Sequence, residues 1–513
     1  MKKITTILLV FFAAILLVAC GEVKPPGPTP PNGGNDKPKT VYLQYADWNR
    51  TEVNYQLLDA FMEKYPHIKV TWTEIGGSGA EFTGNLITAA QQDALPDVFA
   101  IDNVPTVVAN GLTLDVAQYW DADEDAKLVY ENIAKTAVYN GKRYAIPSFQ
   151  FMKGVFVNLT MFDNLNLQTV AGKYRIDPDT GYPVKDWTHS EMVELAKAVT
   201  SYDINNISNF RMGLGTWFGN PDFQQVWPMT KNVNMGYDTY DYSTGKFNYN
   251  DPSWIEAMKE AVDIMDASRN PGVARLPEYP EGSPEREKQD QIVADIGWAI
   301  ATGYQAMAID GSWNFGAINQ AKQNNQQLGF WPYPRGSKDG ELIPPTILDY
   351  TVVSSLTNYP EEAYLLAKWM SYGKDGWEAR MDITERLRET EIAENTDISH
   401  IDRWPIANYP EVWNRIKALM VDKEGNEYIP GLLDSINSIG NAKPDLDKWL
   451  AGYKDFWVWT ANPDNPYNRA NLYVQGRDAV PTFASEWNKK INELVALGVE
   501  FGELPPPEET PAE

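Results

Sequence analysis

Three histidines, one cysteine and 70 acidic side chains bound the chemistry open to this chain of 513 residues. His67 falls in a helix-to-strand turn, His189 in the first turn of a capped helix and His400 in a charged loop. No two have zinc-ligand spacing, and all three read as surface residues without catalytic duty. A single cysteine forms neither an internal disulfide framework nor a Cys-rich metal site. Gly141-Lys142 and Gly245-Lys246 lack the remaining residues of a phosphate-binding loop. Gly76-Gly77-Ser78-Gly79-Ala80 has Ala80 where a nucleophile elbow needs its second glycine, so the run reads as freed backbone at a helix start. Asp121, Asp123 and Asp125 match the first three ligands of a calcium loop, but Ala126 and Asn132 replace its turn glycine and bidentate glutamate. Asp177, Asp179 and Gly181 stop equally short, and both stretches read as solvated acidic loops; no metal or cofactor is expected. A carboxylate pair could still hydrolyse a glycosidic bond, but the separation it needs is a distance in space that sequence does not contain.

What remains is aromatic. Trp, Tyr and Phe make up 12% of the chain, more ring than a core needs. Several rings stand beside polar groups where strands end: Asp47-Trp48-Asn49, Trp217-Phe218-Gly219-Asn220, Gln224-Gln225 with Trp227, Trp313-Asn314 and Asp349-Tyr350. A sugar ring packs its flat C–H face on an indole or phenol while its hydroxyls demand paired donors and acceptors. Trp254, Trp298, Trp369 and Trp377 lie in helical patterns and are assigned to packing.

The elements that must carry these residues alternate strand and helix from Thr40 onward. Val41, Leu43 and Tyr45 predict a strand ending at Asp47-Trp48-Asn49, and Val53 to Tyr65 a helix. Ile68 to Trp72 predicts a second strand, Phe82 to Ala90 a second helix, and Val98-Phe99-Ala100-Ile101 a third strand stopping at Asp102-Asn103. Strands joined by helices pair in parallel, and in open sheets of that kind ligands bind beyond the carboxyl ends of the strands, which singles out Asp47, Trp48, Asn49, Asp102 and Asn103. Asn140-Gly141 predicts a type I′ hairpin. Val155 to Asn158, Ala306 to Ile309, Leu328 to Trp331 and Thr351 to Val353 predict further strands; Thr188 with Glu191 and Ser253 with Glu256 predict capped helices. Beyond Asp382 the chain reads as helical and aromatic-rich, closing in an acidic, proline-rich tail at 504–513.

Lys+Arg number 44 against 70 acidic residues, a net charge of −26, which argues against nucleic acid and against an anionic lipid surface as partners. The first residues, Met1-Lys2-Lys3 followed by an apolar run to Ala19, predict a secretory signal peptide over 1–19. Leu17-Val18-Ala19-Cys20 resembles the lipobox of bacterial lipoproteins, in which the cysteine is lipidated and becomes the new N-terminus. Cleavage there leaves 42 basic against 70 acidic residues, a charge of −28. Residues 20–39, with six prolines and little that is apolar, then read as an extended tether.

The ordered motifs resemble the extracellular solute-binding proteins of bacterial carbohydrate ABC importers, the group that includes maltose-binding protein. The matching pieces are Cys20, Phe61-Met62-Glu63-Lys64-Tyr65-Pro66 through Val70, Ala90 through Leu95-Pro96-Asp97-Val98, and Gly141-Lys142-Arg143-Tyr144-Ala145-Ile146-Pro147. Val155-Phe156-Val157-Asn158, Trp187 and Ala306-Met307-Ala308-Ile309-Asp310-Gly311-Ser312-Trp313 complete the series. The resemblance implies a two-lobed α/β fold of the periplasmic-binding-protein type, with an interlobe cleft and the first lobe at 40–148 and 303–345, the second at 149–302 and 346–503. It implies ligand contacts at Asp47, Trp48, Asn49, Asp102, Asn103 and Trp313, with Trp217, Phe218, Trp227 and Tyr350 from or near the second lobe. The expected function is non-enzymatic capture of an oligosaccharide by a monomer, lipid-anchored at the outer face of the cytoplasmic membrane, for delivery to an ABC permease. A surface glycoside hydrolase or lyase using a carboxylate pair is the alternative, and a sensory or adhesive module a third. No motif places the segment after about residue 373.

Overall fold

A computed structural model of the chain describes residues 39–216 and 224–499. Cys20, the proline-rich stretch to residue 38, Trp217, Phe218 and the acidic tail lie outside the described residues.

The first strands follow the hydrophobic pattern. β1 (Val41–Ala46) buries Val41, Leu43 and Tyr45 while Tyr42 is 72% exposed, and it pairs in parallel with β2 (Ile68–Trp72) on one edge and β3 (Val98–Ile101) on the other. The helix Glu52–Lys64 is capped by Thr51, whose hydroxyl accepts the Asn54 N–H at 3.3 Å. The helix Gly79–Ala90 begins after Gly77, whose φ of 76° explains the glycine run. β4 (Val138–Tyr139) and β5 (Lys142–Arg143) form the expected hairpin, with Asn140 and Gly141 at φ of 50° and 78°.

β6 (Ile146–Asn158) is longer than its apolar end predicts, and it is the backbone of the fold. β7 (Met212–Thr216), β8 (Gln305–Gly311) and β9 (Leu328–Pro332) gather on its second half: β8 and β9 pair antiparallel with its two edges between Lys153 and Asn158, and β7 lies parallel to β8. β10 (Pro345–Val353) pairs antiparallel with the first half of β6 through Thr346–Thr351, and its other edge meets β3 through Tyr350–Val353. β11 (Lys443–Pro444) extends the start of β10. Close approach at the junction requires Gly154, where a Cβ would lie 2.6 Å from the Phe330 ring.

This pairing corrects the expected lobe boundaries. Residues 303–345 were expected beside β1–β3, but β8 and β9 are bonded to β6 and β7 on the opposite half, because the chain that leaves the first half along β6 comes back to it only along β10. The segment after residue 345 also divides. The helix Pro360–Met370 packs on the β1 side, where Trp369 donates its indole N–H to the Leu57 carbonyl at 2.9 Å. The helix Val480–Val499 returns to the other half, where Asn488 and Asn492 accept the N–H groups of Tyr249 and Phe247 at 3.0 Å each. The capping box of Thr188 and Glu191 forms as expected. The helix expected from Ser253 starts at Pro252 instead, with Asp251 as its cap, because Asp251 accepts the Ser253 N–H at 2.8 Å.

Candidate functional site

Side chains two apart on a strand share a face, and residues directly opposite on paired strands share it too. Phe149, Phe151 and Lys153 therefore line one face of β6, with Asp349 and Ile347 of β10 opposite Phe149 and Phe151. Three clusters of side chains are built on this face.

At the Lys153 end lies a cavity of about 250 Å³ lined by Lys153, Gln225, Tyr237, Ile347, Asp447, Trp457 and Arg469. Its polar groups are fixed in a chain. The Lys153 ammonium donates to the Tyr237 hydroxyl at 3.5 Å, Tyr237 to the Gln225 carbonyl oxygen at 3.2 Å, and the Gln225 amide to the Tyr453 hydroxyl at 3.1 Å. Tyr453 in turn donates to Asp238 Oδ2 at 2.6 Å, and Tyr249 donates to the same oxygen at 2.7 Å. Asp238 is fully buried, and that burial pushes its carboxyl up to about 8 against the three donors Tyr453, Tyr249 and Gln224. Trp457 is half-buried, with the Arg469 guanidinium 4.4 Å from its ring centroid.

In the middle, Arg403 lies over Phe151 at 4.9 Å, and the Trp313 ring meets the other side of this cluster edge-on to Phe151 at 6.0 Å. Trp313 folds back over Gly311, where a Cβ would lie 2.0 Å from the indole. Asp47 receives the Tyr45 hydroxyl at 3.0 Å and the Asn49 N–H at 2.7 Å. Burial raises its pKa against the pull of the Asn49 N–H and Arg403. Burial works against the Arg403 cation, but Asp402, Asp349 and Asp47 outweigh it and hold its pKa up. Lys448 pairs with Asp349 at 2.5 Å; burial opposes its charge, and Asp349, Asp445 and Asp102 overcome that opposition. The carboxylates around Arg403 and Lys448 are thus counter-ions of buried cations, and their remaining lone pairs offer acceptors to hydroxyl groups.

At the Phe149 end is a larger cavity of about 430 Å³, walled by the start of the helix Glu52–Lys64, the helix Lys374–Ala393 and residues 399–403.

Of the residues expected in the site, Asp47, Trp48, Asn49, Asp102 and Trp313 stand at strand ends, Asp47 buried and the other four half-buried. Trp48 packs edge-on against Phe82 at 5.3 Å, and Thr83 donates to Asp102 at 2.8 Å. Two expectations are corrected, and one residue has a local role. Trp227 is fully buried and meets His189 edge-on at 4.5 Å, so it is core. Tyr350 is fully buried between Ile101 and Pro147 on neighbouring strands. Asn103 caps the helix Val104–Ala109 by accepting the Thr106 N–H at 3.2 Å. Trp217 and Phe218 lie outside the described residues. Nor is His189 a surface residue: it is buried, bonded to Thr230 at 2.9 Å, and burial holds its pKa well down. His400 is largely covered, and burial lowers it to about 4. The acidic stretch at Asp123 and Asp125 is occupied by a lysine, since the Lys368 ammonium lies 2.7 Å and 3.0 Å from the two carboxylates.

The residues missed by sequence reading, Arg403, Asp447, Lys448, Trp457 and Arg469, all come from the segment without a motif. Comparison with known proteins supplies the frame for this arrangement. The family model described as bacterial extracellular solute-binding protein matches residues 56–387, more than half of the chain. The chain belongs to that family. This solute-binding protein shares its two-lobed fold with an ABC substrate-binding protein from Listeria monocytogenes solved in complex with cycloalternan, at a TM-score of 0.58 and 15% identity over 89% of this chain and 100% of that one. It is similar to the cyclic alpha-maltosyl-1,6-maltose binding protein of Arthrobacter globiformis, at a TM-score of 0.59 and 17% identity over 90% and 100% of the chains. The galacto-N-biose-/lacto-N-biose I-binding protein of Bifidobacterium longum aligns at 0.55 and 13% identity over 91% and 99%. No match was found among curated proteins. Among the described residues no helix is long and apolar enough to cross a membrane.

Proposed function

We propose that this solute-binding protein captures an oligosaccharide between its lobes and delivers it to an ABC permease. The observation that carries the reading is the face of β6, against which Trp313 packs edge-on at Phe151, Trp457 shares a cavity with Lys153, and charge-paired hydrogen-bonding groups gather. From Phe149 to Lys153 that face spans roughly 13 Å at the usual strand rise, longer than one sugar ring needs. The sugar ligands of the solved relatives support the same class. Closure is a population shift: a sugar that touches both sheet halves favours the closed state by its differential affinity, with β6 and β10 as the strands that bend. The membrane link is lipidation of Cys20, with residues 20–39 as a tether and the protein acting as a monomer.

Trp457→Ala and Trp313→Ala are each expected to weaken oligosaccharide binding by about one to two orders of magnitude, as loss of roughly 1.5–3 kcal/mol of ring burial requires. Calorimetric titration against an oligosaccharide panel checks this; full affinity in both variants removes the face of β6 from the site. Cys20→Ala is expected to release the protein from the membrane fraction into the medium or periplasm, read by fractionation and immunoblot.

A further inference from the structure

Three arginines wall the larger cavity, and one of them differs in its surroundings. Arg388 bonds the Leu419 carbonyl at 2.9 Å and pairs with Glu391. Arg403 faces three carboxylates, and Lys448 has Asp349. Arg380 has no such partner in bonding reach: its guanidinium is held 5.0 Å over Phe149 and 5.5 Å from Trp377, and its Nη2 is buried without a hydrogen bond. Trp377 and Arg380 are three apart on the helix Lys374–Ala393 and so share its face. The indole N–H of Trp377 and the His400 Nε2 are likewise buried with no partner, and all three residues wall the same cavity. Burial draws the Arg380 pKa down to about 10, against the distant attraction of Tyr45, Asp47 and Asp402. The covered Nη2 of a half-buried guanidinium and a buried indole N–H left unmatched cost free energy until an acceptor arrives, and a guanidinium fork fits the two oxygens of a carboxylate.

We infer that the cavity beside Arg380 receives a carboxylate of the ligand, so that the protein selects uronate-bearing over neutral oligosaccharides. This rests on the carbohydrate reading above. The acidic groups of the cavity do not oppose it at close range: Asp402 is paired with Arg403 at 2.9 Å, Glu391 is tied to Arg388 and to the Ser399 N–H, and Glu52 and Glu394 are exposed and screened by salt.

The test is calorimetry of the full chain with short oligomers of galacturonate, glucuronate and mannuronate, each compared with its carboxyl-reduced counterpart. At least one acidic oligomer is expected to bind about tenfold or more tightly than its reduced form. Arg380→Gln is expected to bring that ratio close to one, while Arg380→Lys, which keeps the charge, retains part of it. Equal affinity for acidic and reduced forms in the unaltered protein overturns the inference whether or not the variants fold, as does a ratio untouched by a folded Arg380→Gln. Binding of neutral oligomers alone overturns the inference and leaves the carbohydrate reading standing; binding of no oligosaccharide overturns both.

Discussion

Lys448→Met is expected to lower the stability of the protein by about 3 kcal/mol, the low end of the cost of breaking a buried ion pair, since the Lys448 side chain keeps 21% of its surface exposed. The cause is what remains. Asp349, 11% exposed, loses its partner at 2.5 Å, and burial together with Asp447 already pushes the neighbouring Asp445 up. Without Lys448, Asp349 stands close to Asp47 with Arg403 as the cation between them, and Asp445 keeps the pull of Lys153. The backbone link from Val104 N–H to the Lys448 carbonyl, 2.8 Å, survives the substitution, so the loss reports charge rather than a broken chain contact. Denaturant unfolding measures it, and the double variant Asp349→Asn with Lys448→Met separates causes. If unpaired charge is responsible, the double variant is more stable than Lys448→Met alone, with a coupling of about 1–2 kcal/mol. Simple addition of the two single effects would show that Lys448 acts through packing.

The second large effect follows pH. Asp238 titrates near 3.8 when exposed and at about 8 in the folded protein. Between those values the folded chain holds a proton that the unfolded chain has released. Stability therefore falls as pH rises through that window, by up to about 1.4 kcal/mol for each pH unit, and the loss is complete above the folded value. Asp238→Asn removes this titration while keeping an oxygen for the Tyr453 and Tyr249 hydroxyls. Its melting temperature is expected to exceed that of the unaltered protein near pH 8 and to meet or fall below it near pH 5. Parallel curves for the two proteins would show that Asp238 does not carry the proton. Because Tyr453, Gln225 and Tyr237 connect this carboxyl to the cavity at Lys153, sugar affinity in the unaltered protein is expected to fall over the same alkaline range.

Local elements were legible where one rule decided them. The Asn140-Gly141 turn, the Thr188 cap and the alternation of β1 each depend on a few neighbouring residues. The site was half legible. Asp47, Trp48 and Trp313 do stand at strand ends, where the rule looks for ligand contacts, but Trp227 and Tyr350 obey the same local pattern and are core. A ring beside a polar residue looks alike in sequence whether the tertiary fold covers it or not. Arg403 and Lys448 were hidden for the opposite reason: they reach the cleft from loops whose positions depend on contacts far along the chain, such as Gln150 bonded to Pro405 at 2.7 Å and Leu348 to Asp445 at 3.0 Å. One signal was available. In Phe149-Gln150-Phe151-Met152-Lys153 the odd positions already alternate ring, ring and cation ahead of the apolar end of the strand.

Phe149, Phe151 and Lys153 belong to a single strand hydrogen-bonded along both edges, and their spacing is therefore set by covalent geometry, at roughly 7 Å for each two-residue step. Bending of the strand tilts these groups against one another, while the spacing along the chain stays within what the strand allows. The three are buried, so what they space is the second layer: Arg380 over Phe149, Arg403 and Trp313 against Phe151, and the cavity at Lys153 inherit a common ruler from one strand.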